Sequence, residues 1–388
     1  MFNSAERMKS LTSHFFAEHG RRISEMRSKG IDIIRLDVGS PDMAPDPSIV
    51  QTLIRGSQKD ENHGYQPHKG TRELREAWAN LYKREYNVEL DPEVDILPLI
   101  GSKEGIFHLM QAYIQPGDIV MVPDPAYLSY EQAALFAGGD IRTLPIHQEN
   151  QFLPDLKKID RALLGKTKAI WLNYPNNPTT ALATMEFFKE VIEFGRENNI
   201  MVCHDAAYTQ VTFDGKNAPS ILAVDGAKNT AVEFNSLSKS HNMAGWRMGV
   251  MTGNPGVIKT TFKLKSNVDS GHFLPIMDAS IEAMMGDQEW RIARNEEYRQ
   301  RRDIVLSYLK KIGLSAQTPQ ATIYIWSEVP EGWKSVDFVN STLEKTGVSF
   351  APGTIFGVYG EGYIRIALVQ PLNRIITAME RLKEWIEK

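Results

Sequence analysis

Between about residue 94 and residue 253, short apolar segments alternate with longer segments of helical periodicity. The apolar segments are rich in Val and Ile and read VDILPLI, DIVMVPD, KAIWLNY, IMVCHD, AVEFNSL and RMGVMTG. This alternation is typical of a mostly parallel sheet with helices on both faces. The sequence therefore predicts an α/β fold.

The pattern changes in the C-terminal part of the chain. There ATIYIWSEV, VSFAPG and GYIRIALV have the composition of strands, and SVDFVNSTLEKTG and the last fifteen or so residues have helical periodicity. We expect a large domain over residues 45–275 and a smaller α+β domain formed by residues 1–44 and 276–388. In this division the N-terminal helix SHFFAEHGRRISEMRSKG and strand IDIIRLDVG pack with the smaller domain.

Composition excludes several classes of function. A formal net charge of −4 with interleaved signs gives no basic face for nucleic acid, and no apolar run approaches the roughly 18 residues of a membrane span. The single Cys203 rules out an internal disulfide and a cysteine-based metal cluster, so we expect no metal. The first residues lack the apolar core of a signal peptide, and we expect a cytoplasmic protein.

Two segments at predicted strand ends carry candidate binding groups. The strand VDILPLI runs through Gly101, Ser102 and Lys103 into a helix, and free backbone N–H groups at such a helix start bind phosphate. Taken alone, this segment favours the alternative, an ordinary tight turn. The segment NYPNNPTT follows the strand KAIWL and offers the amides of Asn173 and Asn177 where α/β sheets bind ligands. The alternative is an Asn-Pro turn.

Two further segments carry charge. Asp205 ends the strand IMVCHD, with Tyr208 three residues later, so the carboxylate either caps the next helix or faces a cationic ring nitrogen. The segment SLSKSHNMAGWRMG places Lys239 and Arg247 among small residues, where a solvated loop is the alternative explanation. Arg365 lies in the apolar strand YIRIALV, and a buried guanidinium needs an anion.

Taken in chain order, these segments resemble the class I/II aminotransferases, which are pyridoxal-phosphate enzymes of fold type I. The resemblance extends from IIRLDVGSPD through GYQPHKGTRELREA, NYPNNPT, DAAY and SLSKSHNMAGWRMG to GYIRIAL. The segments FFAEHGRRISEMRSKGIDIIRLDVGSPDMAPDPSIV and KSNVDSG look like the branch that contains LL-diaminopimelate aminotransferases. The resemblance implies a mostly parallel, seven-stranded type of sheet between helices, plus a smaller α+β domain.

The resemblance also implies an activity and catalytic residues. Pyridoxal 5′-phosphate is the expected cofactor, and an amino group is expected to move from an amino acid to a 2-oxo acid by a ping-pong mechanism. Lys239 matches the lysine that forms the Schiff base and then moves the proton. Asp205 matches the partner of the pyridine nitrogen. Tyr208 and Asn177 match hydrogen-bond partners of the phenolic oxygen, and Tyr127 matches the residue stacked on the ring.

Binding residues follow from the same resemblance. The expected phosphate ligands are Ser102, Lys103, Ser236, Ser238 and Arg247. Tyr65 matches a tyrosine that reaches the phosphate in the neighbouring subunit, which implies a homodimer with a shared active site. Arg365 matches the clamp for the substrate α-carboxylate; Gly39 is expected to leave room for that carboxylate and Asn173 to help hold it.

Three positions depart from the family pattern. Thr180 stands where a turn glycine is common, and because a β-branched residue disfavours positive φ we expect this loop to bend differently. Leu128 replaces a usual proline and Met277 a usual glutamine. None of the three departures removes a catalytic group, so they leave the substrate range open rather than the activity. A C–S or β-elimination lyase on the same scaffold is the alternative function, and a catalytically inactive binding module is a third.

Overall fold

The computed structural model of the chain describes residues 2–8 and 15–388, so residues 13 and 14 of the expected N-terminal helix lie outside it. The strands are β1 (Ile34–Arg35), β2 (Ile96–Ile100), β3 (Ile119–Asp124), β4 (Asp140–Pro145), β5 (Thr167–Asn173), β6 (Met201–Asp205), β7 (Ala231–Ser236), β8 (Met248–Gly253), β9 (Tyr324–Glu328), β10 (Val348–Ser349), β11 (Ala351–Pro352) and β12 (Tyr363–Ala367). The α-helices are α1 (Phe15–Ser28), α2 (Pro47–Ser57), α3 (Arg72–Tyr86), α4 (Ser102–Tyr113), α5 (Ser129–Phe136), α6 (Arg161–Leu164), α7 (Met185–Asn198), α8 (Leu237–Ser240), α9 (Pro255–Lys265), α10 (Leu274–Met285), α11 (Glu289–Lys311), α12 (Ser335–Thr346) and α13 (Leu372–Ile386).

The central sheet has seven strands in the order β2-β8-β7-β6-β5-β3-β4. All neighbouring pairs are parallel except those that β8 makes with β2 and β7. The mostly parallel sheet predicted from the apolar segments is therefore confirmed. The segments missed the edge strand β4, because only one of its six residues is buried and it lacks an apolar run.

Helices cover both faces of this sheet. Successive residues of β5 point to opposite sides: Ile170 packs in a cluster with residues of α2, α3, α7 and α10, whereas Trp171 packs in a cluster with residues of α4, α5 and α9. Because both faces are buried, the central strands are apolar on both faces over most of their length, and buried polar residues such as His204 of β6 and Glu233 of β7 are paired with each other (2.8 Å). This is why the strands appear in the sequence as continuous rather than alternating apolar runs.

A second layer of structure is formed by elements from both ends of the chain. Strands β11, β12 and β9 form an antiparallel sheet, and β1 pairs in parallel with β10, with Ile34 opposite Val348. One apolar cluster joins β1, β9 and β12 to α11, α12 and α13. The N-terminal strand thus packs with the C-terminal elements, while the exact division at residues 44 and 275 stays a prediction. In the part of the chain that the structure describes, no helix has the length and apolar character needed to cross a bilayer.

The loop after β5 does not bend as expected. Thr180 keeps a positive φ of 66°, the conformation that a glycine would adopt easily. The loop is held by backbone bonds from Thr180 N to Asn176 O (2.9 Å) and from Asn176 N to Ala181 O (2.9 Å). The Asn176 side chain also accepts from the Thr179 hydroxyl (2.8 Å). These bonds enforce the turn and override the preference of a β-branched residue, so the expectation of a different bend is wrong.

We therefore predict that Thr180→Gly stabilises the protein. Relief of the positive φ should raise the free energy of unfolding by about 1 kcal/mol, measured by urea denaturation of the cofactor-free protein. Thr179→Gly is the matched control, because it loses a buried hydrogen bond and should lower that free energy. Equal losses in both variants would show that Thr180 carries no strain.

Candidate active site

A cavity of about 470 Å³ opens at the carboxyl ends of the parallel strands. Thirteen of the fourteen residues proposed from sequence line it: Gly39, Ser102, Lys103, Tyr127, Asn173, Asn177, Asp205, Tyr208, Ser236, Ser238, Lys239, Arg247 and Arg365. Tyr65 does not line the cavity and is 96% exposed. The fold thus brings together side chains from distant segments, and the one exception is the residue expected to act in a neighbouring subunit.

One end of the cavity is built to hold an anion. Gly101 precedes α4 with φ 75°, and a Cβ added there would lie 2.2 Å from Nη2 of Arg247. A Cβ on Gly249, which pairs with Ser236 across β7 and β8, would lie 2.7 Å from the backbone N of Ser102. Two glycines therefore let the guanidinium, a serine hydroxyl and the free N–H groups of a twelve-residue helix converge, as phosphate binding requires.

The segment between β7 and β8 is shaped by local hydrogen bonds. Ser236 caps the short helix α8 by accepting from the backbone N of Ser238 (3.1 Å). Arg247 has φ 59° and donates from Nη1 to the carbonyl of Ala244 (2.7 Å). The helix α8 places Lys239 over the cavity. The left-handed backbone conformation of Arg247 then turns the chain into β8. The two cations of this segment therefore line the same cavity and are not both free in a solvated loop.

Asp205 is a buried carboxylate at the end of β6. Its Oδ2 accepts from the Tyr130 hydroxyl (2.7 Å) and its Oδ1 accepts from the backbone N of Ala207 (3.2 Å). Burial raises the pKa of Asp205, and the bond from Tyr130 opposes part of that rise. A carboxylate so enclosed is stabilised by a cation, and a protonated ring nitrogen supplies one. Tyr130 was not anticipated from the sequence.

Lys239 meets the loop that follows β1. Its Nζ donates to the carbonyl of Gly39. Burial lowers the pKa of Lys239, because the cavity disfavours the ammonium form, and the nearby cations Arg365 and Arg247 act in the same direction. The side chain is thus placed to act as a neutral amine closer to neutral pH than an exposed lysine.

Arg365 is a buried cation in β12. It donates from Nη1 to Oδ1 of Asn177 (2.8 Å) and from Nη2 to the carbonyl of Asp37 (2.7 Å). Its guanidinium carbon lies 4.2 Å from the centre of the Tyr324 ring and 4.7 Å from that of Phe356. Within the described residues its Nε has no hydrogen-bond partner. A buried guanidinium that lines a cavity and makes no salt bridge with any residue that the structure describes is suited to a carboxylate.

Several sequence expectations change in detail. The side chain of Asn173 already donates to the backbone carbonyl of Asp205 (2.8 Å) and accepts from the backbone N of Asn177 (2.8 Å), so it braces the site; a part in holding substrate stays a prediction. The space beside Gly39 is not empty, because an added Cβ would lie 1.8 Å from the hydroxyl of Tyr324. The glycine is required by this tyrosine, which the sequence analysis missed.

The two other departures from the family pattern, Leu128 and Met277, differ in their position relative to the cavity. Leu128 lines the cavity and can affect substrate range. Met277 does not, because it is fully buried in α10 within the apolar cluster on one face of the sheet. The structure therefore gives Met277 a packing role at a position outside the cavity.

Comparison with known proteins identifies the family of the chain that forms this cavity. The model of the family described as aminotransferase class I and II matches residues 31–382. The chain belongs to this family. The LL-diaminopimelate aminotransferase of Aquifex aeolicus is 44% identical over 383 residues, covering 99% of each chain, and that of Moorella thermoacetica is 43% identical, covering 99% of this chain and 98% of the relative. The expected resemblance to that branch is confirmed.

Solved structures agree with the fold. The substrate-bound structure of BacF from Bacillus subtilis superposes with a TM-score of 0.96 at 33% identity, covering 99% of this chain and 98% of that one. An aminotransferase from Staphylococcus aureus superposes with a TM-score of 0.92 at 33% identity, covering 99% of each chain. This aminotransferase is therefore a pyridoxal-phosphate enzyme of fold type I that transfers amino groups.

The residues in the cavity fit that cofactor. The anion end provides backbone N–H groups, hydroxyls and a guanidinium for a phosphate, and Asp205 provides the buried negative charge for a ring nitrogen. The Lys239 amine lies in the same cavity. Pyridoxal phosphate, when bound, supplies an electron sink for negative charge that develops on the substrate.

The lowered pKa of Lys239 predicts a pH-dependent stability. Between its folded pKa and the usual value of 10.5, the unfolded chain binds more protons at this residue than the folded chain, so stability rises with pH over that range. Cofactor-free Lys239→Met should therefore be more stable than the parent at neutral pH, and the difference should shrink as the pH approaches about 10. Urea unfolding at several pH values measures it. Replacing the exposed Lys158 by Met is the control, and an identical pH dependence there would contradict the assignment.

Proposed function

We propose that this aminotransferase takes the amino group of LL-diaminopimelate and passes it to a 2-oxo acid by a ping-pong mechanism. The observation that carries the proposal is Arg365, a buried cation that makes no salt bridge within the described residues and lines the same cavity as Lys239. The relatives from Aquifex aeolicus and Moorella thermoacetica, which cover nearly the whole chain, supply the name of the amino donor.

Arg365 binds the α-carboxylate of the substrate. The guanidinium plane is already fixed by Asn177, by the Asp37 carbonyl and by two aromatic rings, so little side-chain entropy is lost when a carboxylate arrives. The substrate α-carbon is thereby directed toward Lys239. Orientation of this kind is a large part of rate enhancement in two-substrate chemistry.

Lys239 moves the proton. Its amine, whose ammonium form burial disfavours, would accept the proton from the substrate α-carbon and deliver it to the cofactor carbon bonded to the transferred nitrogen. Asp205 holds the ring nitrogen protonated, and Tyr130 keeps that carboxylate in place. The residues that would bind the phosphate are Ser102, Lys103, Ser236, Ser238 and Arg247, all of which line the cavity. Tyr127 would cover the ring, and Tyr208 would donate to the phenolic oxygen.

A second cation supports a substrate with two carboxylates. Arg35 lines the same cavity, and its side chain is 30% exposed. It pairs with Asp37 through Nε (3.1 Å) and Nη2 (2.7 Å), which leaves Nη1 available. Diaminopimelate carries a carboxylate at each end, so Arg365 and Arg35 provide one cation for each. A lyase remains the alternative on this scaffold, and neither the cavity nor the named relatives favour it.

The donor is tested with purified holoenzyme, LL-diaminopimelate and 2-oxoglutarate, by measuring glutamate. Lys239→Ala should lose at least about a thousandfold in kcat, since the proton-transferring amine is gone. Arg365→Ala should lower kcat/KM by about a hundredfold, since a charge-assisted bidentate contact is lost, and Arg365→Lys should recover only part of it. Activity with alanine and none with LL-diaminopimelate would remove the proposed donor and leave the enzyme class intact.

We also propose that the enzyme is a homodimer in which Tyr65 completes the partner's phosphate site. The exposed position of this tyrosine supports the proposal, because Tyr65 lies outside the cavity of its own chain and its side chain is accessible to a second chain. The cytoplasmic location stays a prediction.

Mixing two inactive variants tests the shared site. Tyr65→Ala and Lys239→Ala chains, unfolded and refolded together in equal amounts, should form hybrid dimers with one intact site each. Activity should return to about a quarter of the parent value, since half of the dimers are hybrids with one of two sites active. No recovery, with dimers verified by light scattering, would show that Tyr65 acts within its own chain, and full activity of Tyr65→Ala alone would show that it has no part in the site.

A further inference from the structure

Tyr324, at the start of β9, is held in the cavity by strained backbone. Thr322, two residues earlier, is fully buried and has φ 74°, an unfavourable conformation for a β-branched residue. The strain is enforced by the bond from Thr322 N to Val211 O (2.9 Å), and the Thr322 hydroxyl accepts from the backbone N of Tyr324 (3.2 Å). Strain of this kind persists where the surrounding structure needs a particular geometry.

That geometry places Tyr324 between the groups assigned to substrate and to cofactor. Its ring lies under the guanidinium of Arg365 at 4.2 Å, and its hydroxyl lies 3.0 Å from the hydroxyl of Tyr208. The same hydroxyl occupies the space beside Gly39, whose carbonyl accepts from Lys239. The side chain of Tyr324 therefore contacts Arg365, Tyr208 and the loop at Gly39, whose carbonyl accepts from Lys239.

The cofactor decides which hydroxyl donates in the Tyr208–Tyr324 pair. Within the described residues the two hydroxyls are hydrogen-bond partners of each other, and either one can donate. When the phenolic oxygen of the cofactor accepts from Tyr208, the hydroxyl of Tyr324 is left to donate to the Tyr208 oxygen. The bond that Tyr208 then accepts strengthens it as a donor to the cofactor.

We propose that Tyr324 is a positioning residue that couples the carboxylate site to the cofactor site. Its ring fixes the plane of Arg365, and its hydroxyl directs the proton of Tyr208 toward the phenolic oxygen of the cofactor. The proposal rests on the proposed function, because it takes the roles of Arg365 and Tyr208 from it. A donor at the phenolic oxygen stabilises that oxygen as an anion and so lets the nitrogen of Lys239 lose its proton at lower pH.

Two substitutions separate the ring from the hydroxyl. In Tyr324→Phe, the pH midpoint of the visible absorption change of the resting holoenzyme should rise by about half a unit or more, because Tyr208 becomes a weaker donor. The affinity for pimelate, a dicarboxylate without amino groups, should stay within about twofold, because the ring still supports Arg365. In Tyr324→Leu the midpoint should also rise, and pimelate should bind about tenfold more weakly.

The control is Tyr363→Phe on β12, whose hydroxyl bonds to Gln148 at the exposed surface (3.2 Å) and does not line the cavity; both measurements should be unchanged. In Tyr208→Phe, a further Tyr324→Phe change should leave the midpoint where it is, because the two hydroxyls act in series. An unchanged or lowered midpoint in Tyr324→Phe, or additive shifts in the double variant, would overturn the proposal.

The same measurements distinguish a failure of the proposed function from a failure of the role proposed for Tyr324. Absence of a Lys239-dependent visible absorption in the parent enzyme would contradict the proposed function itself. A normal parent spectrum that Lys239→Ala abolishes, together with an unmoved Tyr324→Phe midpoint, would reject only the role of Tyr324. A general structural loss is recognised because it would lower the thermal midpoint of the variant without moving the pH midpoint.

Discussion

The site depends on taking three ionisable side chains out of water and holding each one with fixed polar partners. Lys239, Asp205 and Arg365 line one cavity, and each would be costly there without compensation. The Gly39 carbonyl, the Tyr130 hydroxyl and the Asn177 amide provide it respectively. Because these dipoles are fixed before any ligand arrives, they need little reorganisation during the reaction. The reduced dielectric also strengthens every charge interaction that a substrate makes there.

The parallel sheet is what makes this arrangement possible. Neighbouring strands that run in one direction end at one edge, so Asn173 of β5 lies beside Asp205 of β6. The antiparallel strand β8 then returns the chain, which sets Gly249 opposite Ser236 and Leu99 and brings the start of α4 to the cavity. The smaller layer adds Arg365 from β12 above that edge. The cofactor groups thus come from the large sheet, and the carboxylate clamp comes from the layer built on both chain ends.

Sequence patterns succeeded where burial is complete and local. The fully buried strands were recognised, whereas β4 was missed because its exposed surface carries no apolar run. Motif resemblance placed thirteen proposed residues in the cavity but not Tyr130 or Tyr324, which lie in ordinary apolar-aromatic segments. The sequence did offer one indication of Tyr130: it lies three residues after Tyr127, in the first turn of α5, so the two tyrosines can face the same cavity. For Thr180, local preference pointed the wrong way, because the hydrogen bonds of the loop outweigh the cost of positive φ.

By itself, the sequence determined the α/β class, the order of the strands along the chain and the chemical groups available at strand ends. These depend on hydrophobic periodicity and on residue type, which act over a few neighbouring positions. Only the tertiary structure decided which groups meet. Arg365 bonds to Asn177 across 188 positions of chain, and Tyr324 occupies the space that Gly39 leaves. Such contacts are set by sheet register and by the packing of two layers, and the free energy of that packing is a property of the whole fold rather than of any segment.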